Sequence, residues 1–556
     1  MKGLALFSCY FHTLRYLKPQ QIYRRIWFRL IRPQINKRPI PKLRTLPGIF
    51  KQPARRQASL LDAETFFFLN QQGELFSLGW DGESQQVSKL WRYNQHYFDD
   101  LNAIDSARRI EWHRSLLLRW VAENPAGIGT GWESYPTSLR ITNWVKWHCA
   151  GNFLPDVCLE SLAVQTRWLN QRIEWHILGN HLFANAKALV FAGMFFSGEE
   201  ANNWLAKGLK IIVDEVLEQV LVDGGNFERS PMYHTIFLED ILDLINLAQA
   251  FPGVVPEKQV ADWQRTAGRM LGWLDAMTHP DGDIAFFNDA ATGIAPDPAE
   301  LVAYAKRLNI SFDYADPGVS SKFRVTHFPQ SGYVCVTEPN ALALLDVAPI
   351  GPDYLPGHAH ADTLSFELSL FGQRVFVNGG TSEYGTGEIR QYERGTAAHN
   401  TVVINGENSS EVWGGFRVAR RAYPRDLEIE EQDDVVTVSC VHDGYTRLKG
   451  KPMHNRGWQF SNRELIVEDR IRGAFQSANA YFHLHPAIDI SANNLGSWKL
   501  RLPEGQQVCI QVEKGDAELK QSYYAPEFGK RLESRCLKIA LEHSGSRVRI
   551  GWSVEN

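Results

Sequence analysis

The sequence of 556 residues lacks any apolar run of the roughly 20 residues that a membrane-spanning helix needs. The apolar stretch GLALFSCYF after Lys2 is short and no small-residue cleavage site follows it, so it is a poor signal peptide. The seven cysteines are scattered, without a CxxC pair or a disulfide framework. These absences favour a reducing compartment, and we expect a cytoplasmic location by default, with the periplasm as the alternative.

Acidic residues are missing from the start of the chain, where the first one is Asp62. Residues 1–56 hold fourteen of the 59 Lys and Arg residues, which leaves 45 bases against 63 acids in the rest. In the stretch QIYRRIWFRLIR, Ile22, Ile26 and Leu30 share one face of a predicted helix, with arginines around the other side. Such a helix suits either a membrane interface or the acidic body of its own protein. We favour docking on the body and keep a peripheral membrane or partner contact open.

The sequence pattern divides the chain into a basic arm (1–90), a helical domain (91–320) and a β domain (325–556). Apolar stripes with helical spacing predict eight helices, at 107–122, 137–150, 157–177, 182–197, 201–221, 235–250, 258–277 and 298–308. Their short connections predict antiparallel hairpins in a bundle, a solenoid or a closed toroid. The short strands and turns after residue 325 predict an antiparallel sandwich. Clefts often form at such a domain junction.

Two loops of the helical domain carry unusual polar residues. LGNHLFANAKAL places Asn180 and His181 at the start of a helix, where an Asn commonly serves as a cap. DGGNFERSPMYH, residues 223–234, leads into another helix. There, a capping Ser230 followed by Pro231 accounts for part of the pattern but not for the density of ionisable groups.

Two loops of the β domain also carry unusual polar residues. GHAHAD crowds His358, His360 and Asp362 into five residues, at the predicted opening of a strand. YERGTAAHNTVVING brings Arg394 and His399 just before another strand. Such ionisable groups are unusual in a buried core strand, so a catalytic site, a metal site or a polar rim is expected here.

Taken in order, the motifs GNH, DGGNFERSPMYH, GHAHAD and AHNTVVING resemble the heparinase II/III family of polysaccharide lyases, from about residue 90 to the C-terminus. The resemblance implies an incomplete α/α toroid followed by an antiparallel β-sandwich, with the active cleft between them. It also implies β-elimination: the C5 proton of a uronate is removed beside a neutralised carboxylate, and the oxygen on C4 is expelled. The expected partner is an acidic polysaccharide, such as a bacterial capsule, an exopolysaccharide or a glycosaminoglycan-like chain, and not a nucleic acid.

The resemblance assigns roles position by position. It implies that Asn180 neutralises the carboxylate with His181 beside it, that Tyr233 is the acid/base tyrosine, and that His358 is the catalytic histidine. The candidates for holding the acidic sugars are Arg140 and Arg229, because guanidinium groups suit carboxylates and sulfates, together with Arg394 and Tyr384.

The resemblance further implies a structural zinc ion held between His360, the residue at position 378, and His399. Asn378 stands where a carboxylate is expected, although zinc prefers His, Cys or carboxylate ligands. We therefore expect no required cofactor and leave zinc at His360 and His399 open. The alternative is that the two histidines hydrogen-bond and pack the cleft floor.

Three other functions stay open at this point. A uronyl C5-epimerase would use the same proton abstraction but would return the proton. A hydrolase would need a pair of carboxylates, for which Asp223, Glu228 and Asp289 are the candidates. A catalytically silent glycan-binding protein of a polysaccharide biosynthesis or export system would need neither chemistry.

Overall fold

The computed structural model describes residues 2–81, 87–311, 322–494 and 496–553, with side chains from residue 6 onward. The boundary predicted at residue 320 lies outside the described residues. Among those residues, no helix is both long and apolar enough to cross a membrane.

The helices lie mainly in the first 310 residues. They are α1 Lys2–Leu14, α2 Pro19–Leu30, α3 Leu75–Leu78, α4 Lys89–Tyr97, α5 Ile110–Glu123, α6 Ser134–Trp147, α7 Asp156–Gln171, α8 Gly179–Phe195, α9 Glu199–Gln219, α10 Pro231–Ala250, α11 Glu257–Ala276, α12 Pro298–Arg307 and α13 Glu388–Glu393. The eight helices predicted from apolar spacing are confirmed as α5 to α12. Their core contains the fully buried indoles of Trp91, Trp120, Trp144, Trp147 and Trp263.

Most of the described strands lie in the second half of the chain, as predicted, and two short ones lie in the first half. The strands are β1 Thr65–Phe68, β2 Gln71–Glu74, β3 Arg324–Phe328, β4 Tyr333–Glu338, β5 Ala341–Asp346, β6 Phe366–Leu370, β7 Gln373–Phe376, β8 Val402–Ile404, β9 Val412–Trp413, β10 Arg417–Val418, β11 Pro424–Gln432, β12 Val435–His442, β13 Met453–Ser461, β14 Glu464–Arg472, β15 Ala478–His483, β16 Asp489–Asn494, β17 Ser497–Arg501, β18 Gln507–Lys514, β19 Asp516–Glu527, β20 Lys530–Ala540 and β21 Gly545–Trp552.

These strands form three larger antiparallel sheets. The five-stranded sheet follows chain order from β3 to β7, and the four-stranded sheet has the order β19-β20-β15-β8. The eight-stranded sheet has the order β11-β12-β13-β14-β21-β18-β17-β16. Apolar side chains from all three sheets share one core, so the predicted toroid followed by an antiparallel sandwich is confirmed.

Strand β6 joins the two domains because both of its faces are buried. Phe366 and Leu368 point into the sandwich core, and the alternate residues point the other way. His279, in the loop after α11, lies 2.8 Å from the Glu367 carboxylate and 2.7 Å from the Ser369 hydroxyl. This buried contact fixes the loop after α11, whose later residues reach the cleft.

Helix α2 contacts both domains at one edge of the cleft. Lys18 pairs with Glu218 of α9, and Gln21 donates to the carbonyl of Tyr354 in the β domain at 3.1 Å. Arg172 donates to the carbonyl of Phe28 at 2.7 Å. The arm therefore rests on the body of the protein through these contacts.

Candidate active site

A cavity of about 1520 Å³ lies between the helical and β domains. Asn180, His181 and Tyr233 line it from the helical domain, and His358 and Tyr384 line it from the β domain. The structure therefore brings together all four residues predicted to be catalytic and one of the four predicted to bind substrate.

Tyr233 is positioned by the start of α10. Ser230 caps the helix by accepting a hydrogen bond from the Tyr233 amide at 3.2 Å, and Pro231 occupies the first turn, as predicted. The phenol oxygen of Tyr233 lies 3.0 Å from that of Tyr384. Burial, reinforced by Tyr384, raises the pKa of Tyr233 well above its usual range. Tyr233 is therefore a protonated phenol at neutral pH and suits a proton donor.

Asn180 stands in the first turn of α8 and does not cap it. The residue preceding the helix is Leu178, whose φ of 67° is strained for a side chain of that size. The cap interpretation is therefore wrong, and the Asn180 amide lines the cavity instead. The positive end of the helix dipole lies at the same place, which favours an anionic group there.

His181 packs against the cavity wall beside Asn180. Its Nδ1 lies 3.2 Å from the Glu174 carboxylate, and its ring lies over that of Tyr135 with centroids 4.4 Å apart. The hydrogen bond and the stacking hold the imidazole at the edge of the cavity.

His358 belongs to the loop before β6, not to the opening of a strand as expected. Its ring lies over that of Tyr233, with centroids 3.8 Å apart. Its Nδ1–H donates to the Asp289 carboxylate at 2.9 Å. Because Nδ1 is occupied, Nε2 is the nitrogen free to exchange a proton.

Asp289 organises this side of the cleft, and sequence reasoning did not foresee its role. Both guanidinium nitrogens at the end of Arg390 bind its carboxylate, and His360 Nε2 lies 2.8 Å from it. Burial alone would raise the pKa of Asp289, but Arg390 and the bonds from His358 and His360 hold it well below its usual range. Asp289 is thus a fixed anion and not one of a hydrolase pair. The Asp362 carboxylate accepts a hydrogen bond from the backbone N–H of Asn288 at 2.9 Å, so Asp362 orients the loop that carries Asp289.

Glu228 is a second buried carboxyl group beside His358. Its Oε2 lies 3.8 Å from His358 Nε2 and has no hydrogen-bond partner among the described residues. Burial raises the pKa of Glu228 above its usual range. The raised pKa favours the uncharged carboxyl group, which does not repel a uronate.

The residues expected to hold zinc do not fit that metal. His360 Nδ1 lies 3.2 Å from His399 Nε2, but the Asn378 amide is engaged with Asn400 N at 3.2 Å and Ser365 Oγ at 3.4 Å. In the described part of the chain, no group of three or more His, Cys, Asp or Glu side chains could hold a metal ion. Burial lowers the pKa of His360 to about 4 and that of His399 to about 3, so both are neutral hydrogen-bonding groups.

Arg140 does not reach the cleft, so its predicted role in holding substrate is wrong. It is fully buried among the helices, donates to Gln165 at 2.9 Å and to the Gly131 carbonyl at 2.8 Å, and lies over Trp120. A guanidinium without exposed surface cannot contact a polysaccharide.

The same correction applies to Arg229 and Arg394. Arg229 donates to the carbonyl of Ser331, at 3.0 Å, and does not line the cavity. Arg394 is fully buried and donates to the carbonyl of Ala359 at 2.9 Å. Through these hydrogen bonds both side chains stabilise loops around the cleft.

Five other arginines line the cavity, and three of them pair with carboxylates: Arg55 with Glu300, Arg56 with Glu239 and Arg421 with Asp353. The other two are Arg25 and Arg417. Arg25 comes from α2, and Arg417 from β10, where it lies over the rings of Tyr10 and Trp413. Neither has a carboxylate partner in the described part of the chain. The basic composition of the arm was the sequence feature that could have pointed to Arg25 as a cavity residue. No sequence pattern pointed to Arg417.

The fold and the cleft define a protein of the toroid-and-sandwich class. The model of the heparinase II/III N-terminus matches residues 117–302, and that of the heparinase II/III-like C-terminal domain matches residues 321–553. The chain belongs to the heparinase II/III-like family.

Two curated relatives and one solved structure illustrate the likeness. A heparin-sulfate lyase of Bacteroides stercoris is 28% identical over 41% of this chain and 36% of its own length. The FtsZ-localized protein C of Caulobacter vibrioides is 25% identical over 66% of this chain and 64% of its own. The crystal structure of heparinase III has a TM-score of 0.69 at 19% identity, over 85% of this chain and 79% of that one. The chain thus spans less than two thirds of either curated relative.

Proposed function

We propose that this protein is a polysaccharide lyase that cleaves a uronate-containing polysaccharide by β-elimination. The observation that carries the proposal is the stacking of the Tyr233 and His358 rings, 3.8 Å apart, in a cavity that Asn180 also lines. These groups provide a proton donor, a proton acceptor and an amide that can neutralise a carboxylate. The heparin-sulfate lyase named above supports the same reaction class.

Each of these groups has one role in the elimination. The Asn180 amide, at the positive end of α8, hydrogen-bonds the substrate carboxylate and so lowers the barrier to removing the C5 proton. His358 Nε2 takes that proton while Asp289 stabilises the imidazolium that forms. The C4–O bond breaks, a C4=C5 double bond forms, and Tyr233 donates its proton to the departing oxygen. Exchange with solvent then returns His358 and Tyr233 to their starting states.

Arg25 and Arg417 supply the positive charge that holds the acidic chain. Both line the cavity without a carboxylate partner in the described residues, so their charge is available to a ligand. Other cations of the cavity are neutralised internally: Lys146 and Lys187 both bind Asp243, at 2.9 and 2.7 Å. We propose a bacterial capsule, exopolysaccharide or glycosaminoglycan-like chain as the substrate class.

Ultraviolet absorbance during incubation with a panel of uronic-acid polysaccharides tests the proposal. A conjugated unsaturated uronate absorbs where the substrate does not, so absorbance should rise with at least one polysaccharide and stay flat with His358→Ala. A flat trace accompanied by inversion at C5 would establish the epimerase instead. A flat trace with binding but no chemical change would establish a silent glycan-binding protein.

A further inference from the structure

The first two helices expose an unusual amount of apolar surface. On α2, Ile22, Ile26 and Leu30, the stripe expected from the sequence, are 50%, 56% and 74% exposed. The helix contacts the body through Gln21 and Phe28, and its apolar stripe faces away from the body. The other large apolar side chains exposed within residues 6–31 are Leu6, Phe7, Tyr10, Phe11, Leu14, Tyr23, Trp27 and Ile31. This many exposed large apolar side chains on two consecutive helices indicates an interaction surface.

Arginines converge beside this apolar surface. Arg25, Arg29, Arg32 and Arg172 line a small pocket of about 450 Å³ together with Phe28 and His176. The pocket contains no carboxylate in the described part of the chain. Four guanidinium groups around one opening form a site for a phosphate or another compact anion.

The charge of this region favours an anionic occupant. Residues 1–56 hold fourteen basic residues and no acid precedes Asp62, so this region attracts an anionic surface. On α2 the exposed rings of Tyr23 and Trp27 alternate with arginines, which is the composition of helices that lie at the boundary between headgroups and acyl chains. Juxtamembrane basic clusters bind anionic lipids in the same way.

We propose that α1 and α2 form a docking face for an anionic phospholipid membrane. The exposed apolar side chains insert at the level of the headgroups, and the arginine pocket binds lipid phosphates. Arg25 lines both this pocket and the large cavity, so docking places one end of the cleft at the lipid surface. The inference shares only Arg25 with the binding proposed for the cleft, so the test substitutes residues of the arm that do not line the cavity.

Co-sedimentation of the full chain with lipid vesicles tests the docking face. Vesicles of phosphatidylcholine alone are compared with vesicles containing about a quarter phosphatidylglycerol. The wild type should pellet with the anionic vesicles and much less with the neutral ones, and added salt should release it. The variant Ile26→Ser/Trp27→Ser/Leu30→Ser and the variant Arg29→Glu/Arg32→Glu should each lower the partition at least about tenfold.

Matched controls use exposed side chains outside α1 and α2: Phe76→Ser, at a residue 90% exposed, and Arg501→Glu should pellet like the wild type. Loss of binding in the controls, or undiminished binding in the two arm variants, would overturn the proposal. So would a wild type that stays in the supernatant with both kinds of vesicle. A dimer in the absence of lipid that the triple variant dissociates would assign the face to a second copy of the chain instead. If the triple variant retains lyase activity, its loss of membrane binding is separate from the lyase chemistry proposed for the cleft.

Discussion

The ring of Tyr233 lies over that of His358, with centroids 3.8 Å apart and planes tilted by 30°. The tyrosine comes from the start of α10 in the helical domain, and the histidine comes from the loop before β6 in the β domain. Neither domain alone contains both proton-transfer groups. Any motion that separates the domains would therefore separate the proton donor from the proton acceptor.

Replacing Tyr233 with Phe removes the proposed proton donor while keeping the stacked ring. We expect kcat to fall by roughly 10²- to 10⁴-fold, because that is the usual contribution of a positioned acid or base, with substrate binding retained. Steady-state kinetics by the absorbance assay measure this. Tyr384→Phe is the matched control: it breaks the same 3.0 Å hydrogen bond from the other side, and it should cost much less. Equal losses in the two variants would contradict the assignment of the acid to Tyr233.

Replacing Arg390 with Lys keeps the positive charge but removes the paired hydrogen bonds to Asp289. The carboxylate that orients His358 is then held loosely, so kcat should fall by roughly tenfold to a hundredfold with KM nearly constant. Arg394→Lys provides the comparison, since that buried arginine binds carbonyl groups such as that of Ala359. It should lower the melting temperature without this selective loss of kcat, and a similar loss there would show that Arg390 has only a structural role.

Replacing Arg417 with Gln removes one of the two cations of the cavity that have no carboxylate partner among the described residues. We expect KM for the acidic polysaccharide to rise roughly tenfold, because a hydrogen bond to a charged group contributes about 1.5–3 kcal/mol, while kcat changes little. The exposed Arg501, away from the cavity, gives the control variant Arg501→Gln. An unchanged KM in Arg417→Gln would exclude this arginine from the substrate-binding surface.

Glu215 on α9 makes stability depend on pH. Burial raises its pKa to about 7, and Gln219 donates to its carboxyl group at 2.6 Å. Because the folded state binds this proton more tightly than the unfolded chain, the stability it contributes is present below about pH 4.5 and is lost as pH rises through 7. Glu215→Gln should therefore be more stable than the wild type by about 3 kcal/mol at pH 8.5, and by less at pH 5.

Denaturant unfolding at the two pH values measures the effect of Glu215→Gln. The exposed Glu533 supplies the comparison variant, Glu533→Gln, which should behave like the wild type at both. A Glu215→Gln protein that is less stable than the wild type at pH 8.5 would contradict the raised pKa.

Much of the fold follows from periodicity. The helices α5 to α12 are long and carry wide apolar stripes, so spacing alone locates them within a few residues. Helix α4 was missed because KLWRYNQHY has only nine residues and a mainly polar sequence, and its place depends on the buried Trp91. The strand expected at His358 is a loop because its three polar groups bond to the loop carrying Asn288 and Asp289 and not to a ladder.

The cleft was predicted less completely. Tyr233 and His358 could be placed there because motifs marked them, but the pairing of Asp289 with Arg390 joins residues 101 positions apart. No local sequence pattern predicts a contact between residues so far apart in the chain. The errors at Arg140, Arg229 and Arg394 share one cause: the direction of a long side chain depends on packing, and these three point into the protein to bind carbonyl groups.

The most direct test of β-elimination is mass spectrometry of products formed in water enriched in heavy oxygen. An eliminating enzyme takes no oxygen from water, so the new non-reducing end should lack the elements of one water molecule and carry no heavy oxygen. Tyr233→Phe should yield almost no such product. Cleaved products whose new non-reducing end is saturated would show hydrolysis and contradict the account.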